Sequence, residues 1–318
     1  MQEAHSNKYP NDFDDQIDLL EIFYALIERK WTIVGVTSFV SIIGVIYSLS
    51  LPNIYESKAL IEPVNPSSGI SGALQSYSGI AGLAGINLPP STSESNTNAA
   101  IEKIGSLSFF EDNILPNIFL PDLMAVDSWN NRTDDLIYDD SIYNPITNQW
   151  VRKYSYPQKQ IPTAQESFKV FKNDHFSISI DSKTNFITLR IRHQSPLIAQ
   201  KWVSLLIDEV NAYFRQKDKL ESERAIIFLN EQIITTNLSE LQLLIAELLQ
   251  EETQKLALIE ANEYYVFDYI DPPSIMEEKS EPQRAIICIL FMLFGMMLSF
   301  GFVLYKFYSS RELIFSKD

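Results

Sequence analysis

Trp31 to Leu51 reads WTIVGVTSFVSIIGVIYSLSL, 21 residues without a charge, and Ala285 to Tyr305 reads AIICILFMLFGMMLSFGFVLY, again 21 without a charge. A bilayer core takes ~20 apolar residues as helix, and a core helix of a soluble protein rarely stays apolar on every face for this length. Both stretches therefore read as transmembrane helices. They divide the chain into a leading segment 1–30, a span 31–51, a body 52–284, a span 285–305 and a tail 306–318. A signal peptide is the rival reading of the first span, but its apolar core normally runs only ~7–15 residues behind a short basic segment. Here thirty residues precede the span, with Asp12, Asp14, Asp15, Asp18, Glu21 and Glu28 among them. Ser48 and Ser50 imitate a cleavage site only weakly, so a retained anchor is expected. Arg29 and Lys30 abut the first span, and Lys306, Arg311 and Lys317 follow the second. The positive-inside rule then places both termini in the cytoplasm and the body across the membrane, which in a bacterium means the periplasm.

Composition narrows the function. The 318 residues carry 25 basic and 41 acidic side chains, a net charge of −16, and 13 units of that excess fall between Pro52 and Arg284. Nucleic-acid binding needs clustered Lys and Arg against phosphates, and this balance argues against it. The single Cys288 excludes an intramolecular disulfide and any multi-thiolate zinc site. His5, His175 and His193 are too scattered for a metal motif, and both body histidines read as surface or partly packed residues. Neither GxxxxGK[ST] nor GxGxxG occurs, and no glycine lies between Gly105 and Gly295. Phosphate-cradling loops need that backbone freedom. No catalytic, cofactor or metal residue is assigned. The best enzyme case is the stretch from Trp129 to Trp150, where Asp134, Asp135, Asp139 and Asp140 sit among aromatics in the style of a glycosidase site. Adjacent acids in a turn-rich segment are more often solvated surface.

The body itself reads as α+β. Asn53 to Val64 is strand-like. Pro63 to Ala100 holds five of the ten glycines with many Ser, Asn and Pro, and reads as a long loop. Ala99 to Leu115 predicts a helix stopped by Pro116, and Asn117 to Pro162 predicts loops and short helices. Ser167 to His193 predicts a hairpin, since Phe176, Ile178 and Ile180 alternate, Ser182–Thr184 turns, and Ile187, Leu189 and Ile191 alternate again. Ser195 is a good N-cap and Pro196 suits the first helical position. From there to Ile259 no Gly or Pro occurs, which allows one helix of 64 residues, ~95 Å long. Leu220, Ile227, Ile234, Leu241 and Leu248 recur every seven residues and are the candidates for long-helix or inter-subunit packing. Arg224, Glu231 and Glu252 interrupt the companion positions, which disfavours a simple coiled coil. The alternative is two helices broken near Thr235–Asn237, whose residues are weaker helix formers. Tyr264 to Ile270 is strand-like and ends at Asp271-Pro272-Pro273. The expected architecture is a membrane-proximal α/β base carrying a very long helix, flanked by two transmembrane helices.

Small residues repeat at helical spacing in the spans, Gly44 with Ser48 and Gly295 with Ser299, and are candidates for close helix contact. Cys288 reads as lipid-facing or as a small packing residue. Before the first span, Ile17, Leu20, Tyr24 and Ile27 form one apolar face with Asp14, Asp15 and Asp18 at the helix start, which predicts a short helix at the membrane surface.

Taken in order, several segments resemble the polysaccharide co-polymerases, particularly Wzz-type chain-length determinants of lipopolysaccharide O-antigen. IDLLEIFYALIERKW before the first span resembles the family's entry segment, LPNIYESKALIEP its first strand, and GIAGLAGI (Gly79 to Ile86) its small-residue loop. SPLIAQKWVSLLIDEVN, residues 195–211, resembles the start of its long helix. YYVFDYIDPP and EKSEPQRA resemble its exit to the second span, with Pro272, Pro273, Pro282 and Arg284 as the membrane-approach motif. Met276 stands where the family usually has another proline, and Met296 and Met297 enlarge a region often rich in small residues. The resemblance implies a non-enzymatic regulator of O-antigen chain length in the inner membrane. It further implies a ring-like homo-oligomer that works with the O-antigen polymerase and meets membrane lipid and the growing polysaccharide. With 13 residues after Tyr305, the tyrosine-kinase domain of related capsule proteins is not expected. An adaptor for polysaccharide export or for a separate kinase, and a membrane-anchored glycan hydrolase, remain as alternatives.

Overall fold

The computed structural model describes residues 19–64, 93–262 and 264–315. The GIAGLAGI run and the acidic leader Asp12–Asp18, with Ile17, lie outside the described residues. The chain divides into two units, one holding Pro52–Glu281 and the other the segments on either side of it.

The outer unit is helical. α1 (Leu19–Glu28) leads into α2 (Lys30–Ser50), and α9 (Arg284–Phe315) closes the chain. α2 and the Arg284–Phe307 part of α9 are long and apolar enough to cross a membrane. Most large apolar side chains on them face outward, and the buried positions are Gly44 and Ser48 on α2 and Gly295, Ser299 and Val303 on α9. That is the reverse of a soluble core helix, which turns its large residues inward.

The inner unit is built on a four-stranded antiparallel sheet in the order β6-β7-β1-β8. β1 (Tyr55–Pro63) pairs with β7 (Ile187–His193) through Ala59–Leu189 and Ile61–Ile187, and on its other edge with β8 (Phe267–Asp271). β6 (Phe176–Ile180) and β7 form the expected hairpin. Burial in β7 alternates strictly, with Ile187, Leu189, Ile191 and His193 all inward, as a strand with one covered face requires. The cover is α7 (Pro196–Thr235), whose Ala199, Trp202, Val203, Leu206, Ile207, Val210 and Phe214 join Ala59, Ile61 and the β7 residues in one core. At ~25 cal/mol per Å², each fully buried Val, Leu, Ile or Phe side chain among these stabilises the fold by ~1.5–3 kcal/mol before conformational entropy is set against it.

Three expectations about elements are revised. The helix expected over Ala99–Leu115 is α3 (Ser93–Ile104), then a one-turn α4 (Leu107–Phe109), a π-helical turn at Phe110–Ile114 and a 3-10 turn ending at Asn117. Gly105 and Ser106 interrupt it, because the Ser106 hydroxyl accepts from the Phe109 N–H and caps a new start. The region expected to be loops and short helices does contain α5 (Leu120–Met124), whereas α6 (Ala164–Val170) follows it and takes up the start of the segment expected as hairpin. The same region also holds two small hairpins, β2–β3 (Val126–Asn130, Asp135–Tyr138) and β4–β5 (Tyr143–Asn144, Gln149–Trp150). Their left-handed turn residues, Asp134 at φ 56° and Asn148 at φ 53°, supply the turn signal.

The third revision concerns the 64-residue helix. α7 stops at Thr235, and α8 (Ser239–Ala261) returns antiparallel beside it. Thr236 bonds back to the Gln232 carbonyl and leaves helical geometry, and the Gln242 side chain donates to the Thr236 carbonyl across the turn. At the other end, Lys219 pairs with Glu260, and Arg215 donates to the Asn262 carbonyl at 2.8 Å. A hairpin of ~60 Å and ~35 Å arms replaces a single rod.

Candidate functional site: a helical hairpin and a pair of spans

The five residues spaced by seven fall on the open side of this hairpin. Leu220, Ile227 and Ile234 on α7 and Leu241 and Leu248 on α8 are all exposed, Ile234 to 82%. The inward stripe of α7 runs through Val203, Leu206, Val210, Phe214, Asp218 and Ser222 instead, so the seven-residue repeat does not pack the helix on its own sheet. Phe228, Leu238, Leu243 and Leu244 are exposed as well, and in α8 only Ile259 is buried. Monomeric proteins rarely leave apolar patches beyond a few hundred Å² open.

Where α7 leaves the sheet, polar residues on its inward stripe hold the returning chain. Asn211 is buried and binds the β8 approach three times. Its Oδ1 accepts from Val266 N at 2.8 Å and Phe267 N at 2.9 Å, and its Nδ2 donates to Phe267 O at 3.0 Å. Two turns on, the Tyr265 hydroxyl donates to Asp218 at 2.5 Å, and burial followed by this bond raises the phenol well above its ordinary range. Asn211 and Asp218 thus couple α7 to the approach of β8, and Arg215 couples it to the end of α8; none of the three stands out in the sequence. The only signal at Asn211 and Asp218 is polarity on a stripe otherwise filled by Val, Leu and Phe.

The return path ends in the proline segment. Pro272 and Pro273 follow β8, and the Ser274 carbonyl accepts from Ser57 Oγ at 2.8 Å. The chain then runs extended beside the start of β1, where Ile54 and Glu281 exchange backbone bonds and Lys279 reaches Asn53. Pro282 accepts from the Arg284 N–H, which sets the first turn of α9. Pro lacks the N–H a ladder needs, so these positions keep the segment as an edge rather than a full strand.

In the outer unit, Gly44 and Gly295 stand where the two spans touch. A Cβ added at Gly44 would lie 2.5 Å from Phe291 Cβ, and one at Gly295 2.9 Å from Val40 Cβ. Ser48 and Ser299 are buried one turn further on. Nothing approaches Gly35 within 4 Å. Gly44→Leu is therefore expected to lower the thermal stability of the chain in detergent by about 1–3 kcal/mol through overpacking, with Gly35→Leu close to neutral. Equal effects of the two would show that the spans do not meet there.

The acidic stretch resolves into turn chemistry. Asp134 accepts from Trp129 Nε1 at 2.9 Å at the β2–β3 turn, and Asp135 pairs with Asn130 in the ladder. Hydrogen bonds from Ser141, its side chain first and then its backbone N–H, hold the Asp139 carboxyl below the usual range, the opposite of what a general acid needs. Asp140 is exposed. Among the described residues no group of three or more His, Cys, Asp or Glu is placed to hold a metal ion. A cavity of about 490 Å³ lined by Glu62, Thr97, Ile101 and Phe186 lies between β1, α3 and the β6–β7 turn.

Of the two body histidines, one departs from expectation. Both read as surface or partly packed; His175 is indeed half-buried, and it is His193 that departs, being 2% exposed and stacked on His175 at 5.6 Å, with Trp202 edge-on to each.

This architecture defines a class: a chain with an apolar helix of spanning length on each side of an α+β unit, whose longest helix carries an open apolar face. Residues 15–112 match the family model of Wzz, the chain length determinant proteins. Among solved structures the chain is similar to a full-length bacterial polysaccharide co-polymerase at 16% identity, covering 93% of this chain and 99% of that one with a TM-score of 0.41. It is also similar to a fragment of WzzB, a polysaccharide co-polymerase from Salmonella Typhimurium, at 13% identity, covering 72% of this chain and 100% of that one with a TM-score of 0.34. No curated protein sequence matches the chain.

Proposed function

We propose that the protein is a non-enzymatic regulator of surface-polysaccharide chain length, of the lipopolysaccharide O-antigen type, acting as an inner-membrane homo-oligomer with the O-antigen polymerase. The observation that carries this reading is the match of residues 15–112 to the chain length determinant family, which takes in the first span and β1. Two helices of spanning length support the membrane location. In the proposed topology both termini are cytoplasmic and residues 52–284 are periplasmic, between spans at 31–51 and 285–305. The open apolar face of α7 and α8 supports self-association, since identical subunits meeting side by side close into a ring. Asp134, Asp135, Asp139 and Asp140 serve turns, which favours regulation over hydrolysis. Deleting the gene should convert a modal O-antigen ladder into an unregulated distribution on a silver-stained gel, and an unchanged ladder would defeat the reading. The rival adaptor role predicts co-purification with an exporter or kinase and not with a polymerase.

A further inference from the structure

The root of the long helix holds a buried imidazole whose protonation state is set by geometry. The Ser195 N–H donates to His193 Nδ1 at 2.9 Å, so that nitrogen carries no proton. His193 Nε2 lies 2.9 Å from the Asp122 carbonyl oxygen and must donate to it. His193 is therefore the neutral Nε2–H tautomer, with both nitrogens used by backbone groups. Ser195 is also the N-cap of α7, its hydroxyl accepting from Ile198 N. Three pieces of the fold meet on this ring: β7 through His193 itself, α5 through Asp122, and α7 through Ser195 and Trp202.

We propose that His193, with His175 and Trp202, is an acid-released latch that fastens the N-terminus of α7 to β7 and α5. A proton taken from solvent by Nδ1 removes the acceptor of the Ser195 N–H. It also places a cation at the positive end of a 40-residue helix and against the ring of His175. Among the described residues the two rings bond backbone groups and no carboxylate. Asp122, on α5, presents its carbonyl to His193 while its carboxylate accepts from the Tyr138 hydroxyl of β3 at 2.7 Å and feels Lys201 of α7. Arg192 on β7 gives His175 its carbonyl, which accepts from Nδ1 at 2.7 Å, and turns its guanidinium to Glu281 and the Asn173 carbonyl. Asp174, before β6, acts on His175 from the π-helical turn that ends α6. Burial is the main cause that pushes His193 down to about 4 and lowers His175, against the pull of their carbonyl partners. An unfolded histidine titrates near 6.5, so the latch is fully closed above about pH 6.5 and opens progressively as pH falls toward 4.

The test is hydrogen–deuterium exchange of the full chain in detergent, corrected for intrinsic rates, between pH 7.5 and 4.5. Peptides covering residues 193–202 should lose protection by on the order of tens-fold as the medium is acidified. His193→Gln, which keeps a donor and an acceptor but does not titrate, should flatten that dependence. The same acid response in His193→Gln, or none in the native chain, overturns the proposal. Should His193→Gln not fold, ring NMR of the native chain decides. Titration of His193 below 6 in step with the loss of protection supports the latch, and titration near 6.5 with protection intact overturns it.

Discussion

Asn211→Ala should destabilise the inner unit by on the order of 3–5 kcal/mol, because it orphans two N–H groups and one carbonyl in a buried site, each costing about 1–3 kcal/mol. No other side chain replaces the missing amide where β8 joins the sheet. A unit of this size loses roughly 2–4 °C of melting temperature per kcal/mol, so a drop near 10 °C is expected in a thermal melt. Asn211→Asp keeps the acceptor for Val266 and Phe267 but loses the donor to the Phe267 carbonyl and buries a charge. It should fall at least as far at neutral pH and recover part of the loss in acid, as its carboxyl takes up a proton. A melt within 2 °C of the native protein would show that Asn211 does not anchor β8.

The second large effect concerns association rather than folding. Ile227→Asp with Ile234→Asp places two charges on a face that is open in the single chain, so the melt of the unit should change by less than about 1 kcal/mol. If that face joins subunits, each buried isoleucine is an anchor of the kind whose loss costs about 2 kcal/mol or more, and the pair should weaken association by several hundred-fold. Light scattering of the detergent-solubilised chain reads the difference as a shift from assembly to monomer. An assembly mass unchanged by the double substitution would place the subunit contacts elsewhere. Leu241→Asp on α8 is the companion that tells whether both arms of the hairpin take part.

Much of the architecture is legible in periodicity. The spans announce themselves by length and absence of charge, and the β6–β7 hairpin by its period of two. The same period, carried one step past Ile191, reaches His193 and puts it inside. The histidine was read by its polarity when its position was the better guide. Continuity misled at the long helix. Absence of Gly and Pro permits 64 helical residues but does not compel them, and Thr235-Thr236-Asn237 suffices for a break once α8 finds a place along α7. The heptad of Leu220, Ile227 and Ile234 is real as a pattern. It belongs to a different face from the one that meets the sheet, and no single-chain argument could assign its partner. Asn211 and Asp218 were invisible for a related reason. Asn211 satisfies the backbone, and Asp218 the Tyr265 hydroxyl, of a segment some fifty residues away, and local pattern carries no record of such pairings.

The central claim, that this chain sets polysaccharide length, is met most directly by complementation. A strain making O-antigen but lacking its own length regulator would be supplied with the full chain, and its lipopolysaccharide resolved as a ladder. The account predicts that a broad, unregulated distribution collapses to a defined modal band, and that the variant with Asn in place of Asp134, Asp135, Asp139 and Asp140 does the same. A ladder left broad by a chain that is expressed and membrane-bound would contradict it.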